Sequence, residues 1–357
     1  MATTASSATT PAPSMDKTPA APPLPLTAPT RSYVGGSDGE KLVGFLAASV
    51  FSAVYVIAPC YLVAAVARLA QAPLAPSTWL LCLPLVGSML LPPAVLPPFG
   101  MWLLRQYPLR QIPKYFDFEE YAEFTDAEFL RWHEEGKRAV ACIHPHGVFP
   151  FVSVCGAVST VCRPDGLRDG LMDVPTAAAS VIRLLPLLKD IIGIFGIVDA
   201  AGKVLSERLK RRKGSCVIYV GGMVELFHST PKRETVFLKK RKGFVKIALR
   251  TGADLIPIYS FGNTTVLEAF KSGPLASLSR KVGVSVTVFW GRWFLPIPKR
   301  VKLVYARGRP LGLPHIEHPT DADVDKYHAL YCAKLVELFD NYKKFNPDYA
   351  GKTLHIE

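Results

Sequence analysis

The chain has 357 residues, enough for one sizeable core with accessory segments. Its 42 Lys and Arg against 29 Asp and Glu leave a formal charge of +13, which favours acidic partners: nucleic acid, anionic lipid or a phosphate-bearing ligand. With 49% hydrophobic residues and a mean hydropathy of +0.21, a membrane surface is favoured over nucleic acid.

Residues 1–40, rich in Ala, Thr, Ser and Pro, show no apolar period and predict a disordered tail. They do not read as a secretory signal, because the first long apolar run starts only after Lys41. No charged residue occurs from Leu42 to Ala67, a run of about 39 Å as a helix against a bilayer core of about 30 Å. Residues 71–77 read as a turn, and Thr78 to Leu104 as a second apolar segment, kinked or re-entrant at Pro92-Pro93 and Pro97-Pro98. Residues 41–105 therefore predict a membrane-embedded helical hairpin. Lys41 precedes it, Arg105, Arg110 and Lys114 follow it, and only Arg68 lies at the turn, which puts both ends on the cytosolic side.

From about residue 106 onward the pattern alternates between strand and helix signals and predicts a single α/β domain over 106–357. Strands are expected at Ala139–Ile143, Ser215–Val220, Asp254–Phe261 and Val301–Tyr305. A helix is expected over Gly243–Thr251, stopped by Gly252. Another starts at Thr320 and Asp323 in a capping-box pattern, with Val324, Tyr327, Tyr331, Leu335, Leu338 and Tyr342 at helical spacing. The seven cysteines are odd in number and lack metal-type spacing, so they read as buried apolar side chains in a reducing, cytosol-facing compartment.

Three motifs can carry chemistry. His144-Pro145-His146-Gly147 ends an apolar strand, at the sheet edge where ligands gather in α/β folds. Pro145 stiffens the turn, Gly147 lets a substrate approach the backbone, and a neutral imidazole can take a proton from an alcohol near pH 7. No third ligand accompanies the pair, so no metal is expected. Gly221-Gly222-Met223-Val224-Glu225 ends a second strand, and its carboxylate can orient an imidazole. Lys232, Arg233, Lys239, Lys240, Arg241 and Lys242 precede Gly243 at a helix start, a setting suited to phosphate and equally to an anionic lipid surface. No GxSxG elbow, P-loop or GxGxxG occurs, which argues against a serine hydrolase, an NTPase and a dinucleotide enzyme.

These motifs, with Gly252-Ala253-Asp254-Leu255-Ile256-Pro257 running to Phe261-Gly262 and the ending Gly308-Arg309-Pro310, Tyr327-His328 and Leu338-Phe339-Asp340, resemble the type-2 diacylglycerol acyltransferase family. The resemblance spans about residues 100–345 and includes monoacylglycerol and wax-ester acyltransferases. It implies an acyltransferase-type mixed sheet flanked by helices, and esterification of diacylglycerol by acyl-CoA with no bound cofactor. It also implies endoplasmic reticulum membranes and lipid droplets, with acyl-CoA, diacylglycerol and membrane lipids as partners. Nucleic acid would explain the charge but not the hairpin and is not expected, and a homo-oligomer is compatible with the sequence. Some members replace the first histidine of the motif, so His146 is expected as base, with His144 and Glu225 in support. Pro145, Gly147, Gly221, Gly222, Arg241, Lys242 and Gly243 are expected at the substrates. The sequence departs from the family at Tyr115-Phe116-Asp117 and at Asn263-Thr264-Thr265, where many members carry acidic residues. The alternative from another class is a lipid-binding or lipid-droplet scaffold without turnover.

Overall fold

The computed structural model describes residues 28–91, 97–163, 174–222, 225, 234–270 and 288–357. Its centre is an eight-stranded mixed sheet in the order β1-β2-β11-β8-β3-β6-β4-β5. The strands are β1 (Arg31–Ser32), β2 (Glu119–Ala122), β3 (Ala139–His144), β4 (Thr176–Ala178), β5 (Ile197–Asp199), β6 (Cys216–Tyr219), β8 (Asp254–Phe261) and β11 (Val304–Arg307). Two small ladders lie outside it: β7 (Glu234–Val236) with β12 (Leu354–Ile356), and β9 (Glu268–Ala269) with β10 (Phe289–Trp290). The block from β8 to β5 is parallel, and β11 runs antiparallel to β8.

Strands β3 and β8 hold the middle. All of β8 beyond Asp254 is buried, as a strand covered on both faces requires. Pro257 lies just past the end of the β11 ladder, so the N–H it lacks is not needed for the strand pairing, and its carbonyl still accepts from Gly308 N at 2.9 Å. Side chains alternate across the sheet. Val140 and Cys142 of β3, with Leu255, Tyr259 and Phe261 of β8, face one layer of helices: α9 (Gly202–Leu209), α10 (Gly243–Thr251) and α11 (Asp321–Tyr342). Ile143, Ile256 and Ile258 face the other side, where α6 (Asp126–Glu134) and α7 (Phe151–Val161) lie. Helix α8 (Leu188–Gly193) connects β4 and β5.

Helix α10 ends as expected at Gly252, which takes the left-handed conformation (φ +65°). Helix α11 opens with the expected box: Thr320 Oγ1 accepts from Asp323 N, and the Asp323 carboxylate accepts from Thr320 N. The strand expected at Val301–Tyr305 lies three residues later, because Leu303 is taken up in backbone bonds to Phe116 and Glu119 before the ladder begins.

The N-terminal expectations need adjustment. Residues 1–27 lie outside the described residues, but 28–40 are not tail. Strand β1 covers the open edge of β2, and Thr30 Oγ1 accepts from Ala122 N. Helix α1 (Asp38–Gln71) opens with Ser37 and Glu40 in a capping box and is the one described helix long and apolar enough to cross a membrane. The chain turns at residues 72–75, and α2 (Pro76–Leu90) folds back on α1, with Tyr61 donating to the Leu81 carbonyl. At 15 residues, α2 is about 22 Å long. The second apolar segment is thus not one helix. Its last part, α3 (Pro97–Leu104), leans on the domain, where Leu104 is buried against Val158 and Val161 of α7.

Nor is the first half of α1 a free appendage. Ala47, Ala48 and Phe51 join the core formed by α5 (Ile112–Tyr115) and α7, next to α4 (Tyr107–Arg110). Gly44 permits this approach: a Cβ there would meet the Gln111 carbonyl oxygen at 2.2 Å.

Candidate active site

The site is built at the C-terminal edge of β3 and β6. His144 is the last residue of β3 and faces the α11 side, fully buried. Its Nε2 is 2.9 Å from the Tyr331 hydroxyl on α11, and its Nδ1 is 3.6 Å from Oε1 of Glu225. The Nδ1–Oε1 separation is in ion-pair range but longer than a hydrogen bond, and the Tyr331 hydroxyl also lies 3.5 Å from the Cys142 carbonyl.

His146 lies beyond the strand end, after a cis His144–Pro145 peptide, and is half-buried. Its backbone N–H donates to Oε2 of Glu225 at 3.1 Å. Its Nδ1 is 2.8 Å from the Gly147 carbonyl, which can only accept, so Nδ1 is the protonated nitrogen and Nε2 keeps its lone pair. Burial lowers the His146 pKa below the ordinary 6.5, opposed by the Gly147 carbonyl and by the Glu225 charge. The ring stands edge-on to Tyr219 of β6 at 4.6 Å, and the Tyr219 hydroxyl bonds to Ser153 at the start of α7.

Glu225 therefore lies between the two histidines, within ion-pair range of one side chain and accepting from the backbone of the other. The glycines before it make this possible. A Cβ on Gly221 would meet Oε1 of Glu225 at 1.9 Å, and Gly222 takes the left-handed backbone (φ +59°) that turns the chain after β6. Met223 and Val224 lie outside the described residues.

Asn263, noted in the sequence only as a departure, proves central. It sits in the turn after β8, buried, and its Nδ2 donates to the His146 carbonyl at 2.6 Å. Its Oδ1 accepts from Val152 N in the first turn of α7 at 3.2 Å. Gly147 (φ +66°) lies so close that a Cβ would come within 2.6 Å of Asn263 Nδ2. Tyr331 was likewise expected only as part of an apolar face. The available signal for both was position: Asn263 follows the end of the strand beside β3, and Tyr331 is a polar-tipped ring in an apolar stripe.

The expected substrate residues divide into two groups. Pro145, Gly147, Gly221 and Gly222 surround the histidines. Arg241, Lys242 and Gly243 stand instead at the N-terminus of α10, whose Phe244 meets the Tyr331 ring edge-on at 5.0 Å. Arg241 lines a groove of about 830 Å³ with Phe237, Lys239, Lys240, His355, Ile356 and Glu357, while Lys242 pairs with Asp325 of α11. Lys232 and Arg233 lie outside the described residues. Among the described residues no three His, Cys, Asp or Glu side chains converge as a metal-ligand group.

A family model described as diacylglycerol acyltransferase matches residues 106–352, which hold the site and every strand of the central sheet except β1. The chain belongs to that family. Diacylglycerol O-acyltransferase 2 of Dictyostelium discoideum is 31% identical over 238 residues, covering 63% of this chain and 72% of the relative. The Mus musculus protein of the same name is 33% identical over 216 residues, covering 56% and 55%. The Homo sapiens 2-acylglycerol O-acyltransferase 3 is 34% identical over 217 residues, covering 56% and 63%. The chain thus spans between about half and three quarters of the length of these curated relatives. No solved structure matches it.

Proposed function

We propose that this diacylglycerol acyltransferase family member esterifies the free hydroxyl of diacylglycerol with the acyl group of acyl-CoA, giving triacylglycerol and coenzyme A. The observation that carries the reading is the Glu225-linked histidine pair, with a lone pair left on His146 Nε2. His146 Nε2 takes the hydroxyl proton while the alcohol oxygen attacks the thioester carbonyl. Backbone N–H groups near Gly147 and Gly221-Gly222 hold the oxyanion. The tetrahedral species then collapses, the carbon–sulfur bond breaks, and the imidazolium returns its proton to the departing thiolate. Glu225 stabilises the positive charge that His146 acquires, and His144, lying between Glu225 and Tyr331, fixes the carboxylate.

Arg241, Lys242 and Gly243, with the basic groove beside them, are assigned to the phosphates of coenzyme A. The apolar N-terminal segment holds the site at a membrane. By its charge distribution and its family this is the endoplasmic reticulum membrane or a lipid droplet, with both ends of the segment on the cytosolic side. The human 2-acylglycerol O-acyltransferase relative favours a second reading, monoacylglycerol as acceptor.

Membranes carrying the full chain, given radiolabelled oleoyl-CoA with diacylglycerol, monoacylglycerol and fatty alcohol in competition, should form labelled triacylglycerol. His146→Ala should lower that rate by about 10²–10⁴-fold at unchanged protein level. Wild-type turnover in the variant would sink the assignment.

A further inference from the structure

Residues 291–297 form a closed loop that pushes its largest side chains outward. Trp293, Phe294 and Leu295 are 65%, 86% and 50% exposed. The protrusion is built rigidly. Gly291 N donates to the Leu295 carbonyl at 2.7 Å and Arg292 N to the Ile297 carbonyl at 2.8 Å. A Cβ on Gly291 would lie 1.9 Å from the Ile297 oxygen. Trp293 and Phe294 both carry left-handed backbone (φ +56° and +58°), a costly conformation for bulky side chains. Folding alone gives no reason to hold aromatic rings in water at that cost.

The loop is fastened to α1. Ser52 donates to the Pro296 carbonyl at 2.5 Å, and Trp293 stands edge-on to Phe45 at 6.4 Å. On the same stretch of α1, Leu42, Leu46 and Val50 are more than half exposed. The rim is net positive among the described residues: Arg292 stacks over Phe45 and Trp293, Lys41 and Arg300 pair with Asp117, and Lys299 pairs with Glu268. An aromatic tip ringed by cations, beside a helix able to cross a membrane, has the chemistry of an anionic bilayer interface.

We infer that Trp293, Phe294 and Leu295 insert into the bilayer interface and set the depth of the active site, an inference that rests on the membrane acyl-transfer reading above. The geometry gives this a purpose. One turn along α1 from Ser52, Tyr55 meets Phe149 edge-on at 5.1 Å, and Phe149 lies two residues beyond Gly147. Fixing the loop at the headgroup level fixes the histidine turn beside it, where a glyceride hydroxyl lies.

The full chain with benzoylphenylalanine at position 294 would be reconstituted in vesicles of phosphatidylcholine and phosphatidylserine containing tritiated phosphatidylcholine, then illuminated. Position 63 on α1 serves as the lipid-facing comparison, and position 337 on α11 as the aqueous one. Lipid adducts at 294 should match those at 63 and clearly exceed those at 337, because aromatic side chains in the interfacial belt sit at the headgroup level. Adducts no more abundant than at 337, or a crosslink to a second copy of the chain, would overturn the inference. The same labelling in His146→Ala separates docking from turnover: an inactive chain that still labels at 294 supports the inference, whereas an active chain without the adduct refutes it. Phe294→Gly should unfold at an equal or higher temperature, because it relieves the left-handed backbone. A clear loss of stability would show that the ring serves folding and would count against docking.

Discussion

At the residue scale, the site depends on spaces as much as on functional groups. Gly221→Ala would drive its new methyl group into the Glu225 carboxylate, so it should lower acyl transfer about as far as Glu225→Gln does. Gly39→Ala, at a position with nothing within 4 Å, should leave the rate unchanged. Initial rates in matched membranes check both. The titration of His146 has a definite sign. Burial disfavours its cation, and in the proposed mechanism the neutral form accepts the hydroxyl proton. The rate at limiting substrate should therefore rise with pH through an apparent pKa below 6.5 and then level off. A pH–rate profile with its inflection above that value would contradict the assigned base. Asn263 belongs at this scale too, since one amide joins the His146 carbonyl to the first turn of α7.

At the scale of elements, the relation of α1 to the domain matters most. The helix is long and apolar enough to cross a membrane, yet its first half is part of the domain core through Ala47, Ala48 and Phe51. Gly44 is the close approach that allows this. Gly44→Ala places a methyl group 2.2 Å from the Gln111 carbonyl oxygen and should destabilise the fold by about 1–3 kcal/mol, the usual cost of overpacking. Thermal unfolding in detergent measures the loss. Because Tyr55 of the same helix touches Phe149, activity should fall along with stability.

At the scale of the whole molecule, a buried ionic group ties the far side of the sheet together. Glu120 of β2 receives Arg163, which follows α7, and Arg307 of β11; both arginines also reach Asp126 at the start of α6. Burial pushes the Glu120 carboxyl upward, but Arg307 and Arg163 outweigh it and hold the pKa below the usual carboxylate range. Its contribution is thus present above the ordinary carboxylate pKa and is lost as pH falls through the lowered one. Arg307→Met should cost about 3–5 kcal/mol by leaving a buried charge short of a partner. Denaturant unfolding should show part of that loss restored in the Arg307→Met/Glu120→Gln double variant.

Much of the molecule was legible in the chain itself, for local reasons. The apolar run of β3 ending at His144, the stop at Gly252 and the capping box at Thr320 each depend on a few neighbouring residues and carry their own signal. The family, too, could be read from the order of the motifs. What the sequence could not settle was which groups meet across long stretches of chain. Only tertiary packing brings Glu225 to both histidines, Tyr331 to His144 and Asn263 to the His146 carbonyl, over separations of 79 to 187 residues where local periodicity says nothing. The same holds for α1, whose apolar length was evident at once. That its first half joins the core depends on Gly44 meeting Gln111, a contact that exists only in the folded chain.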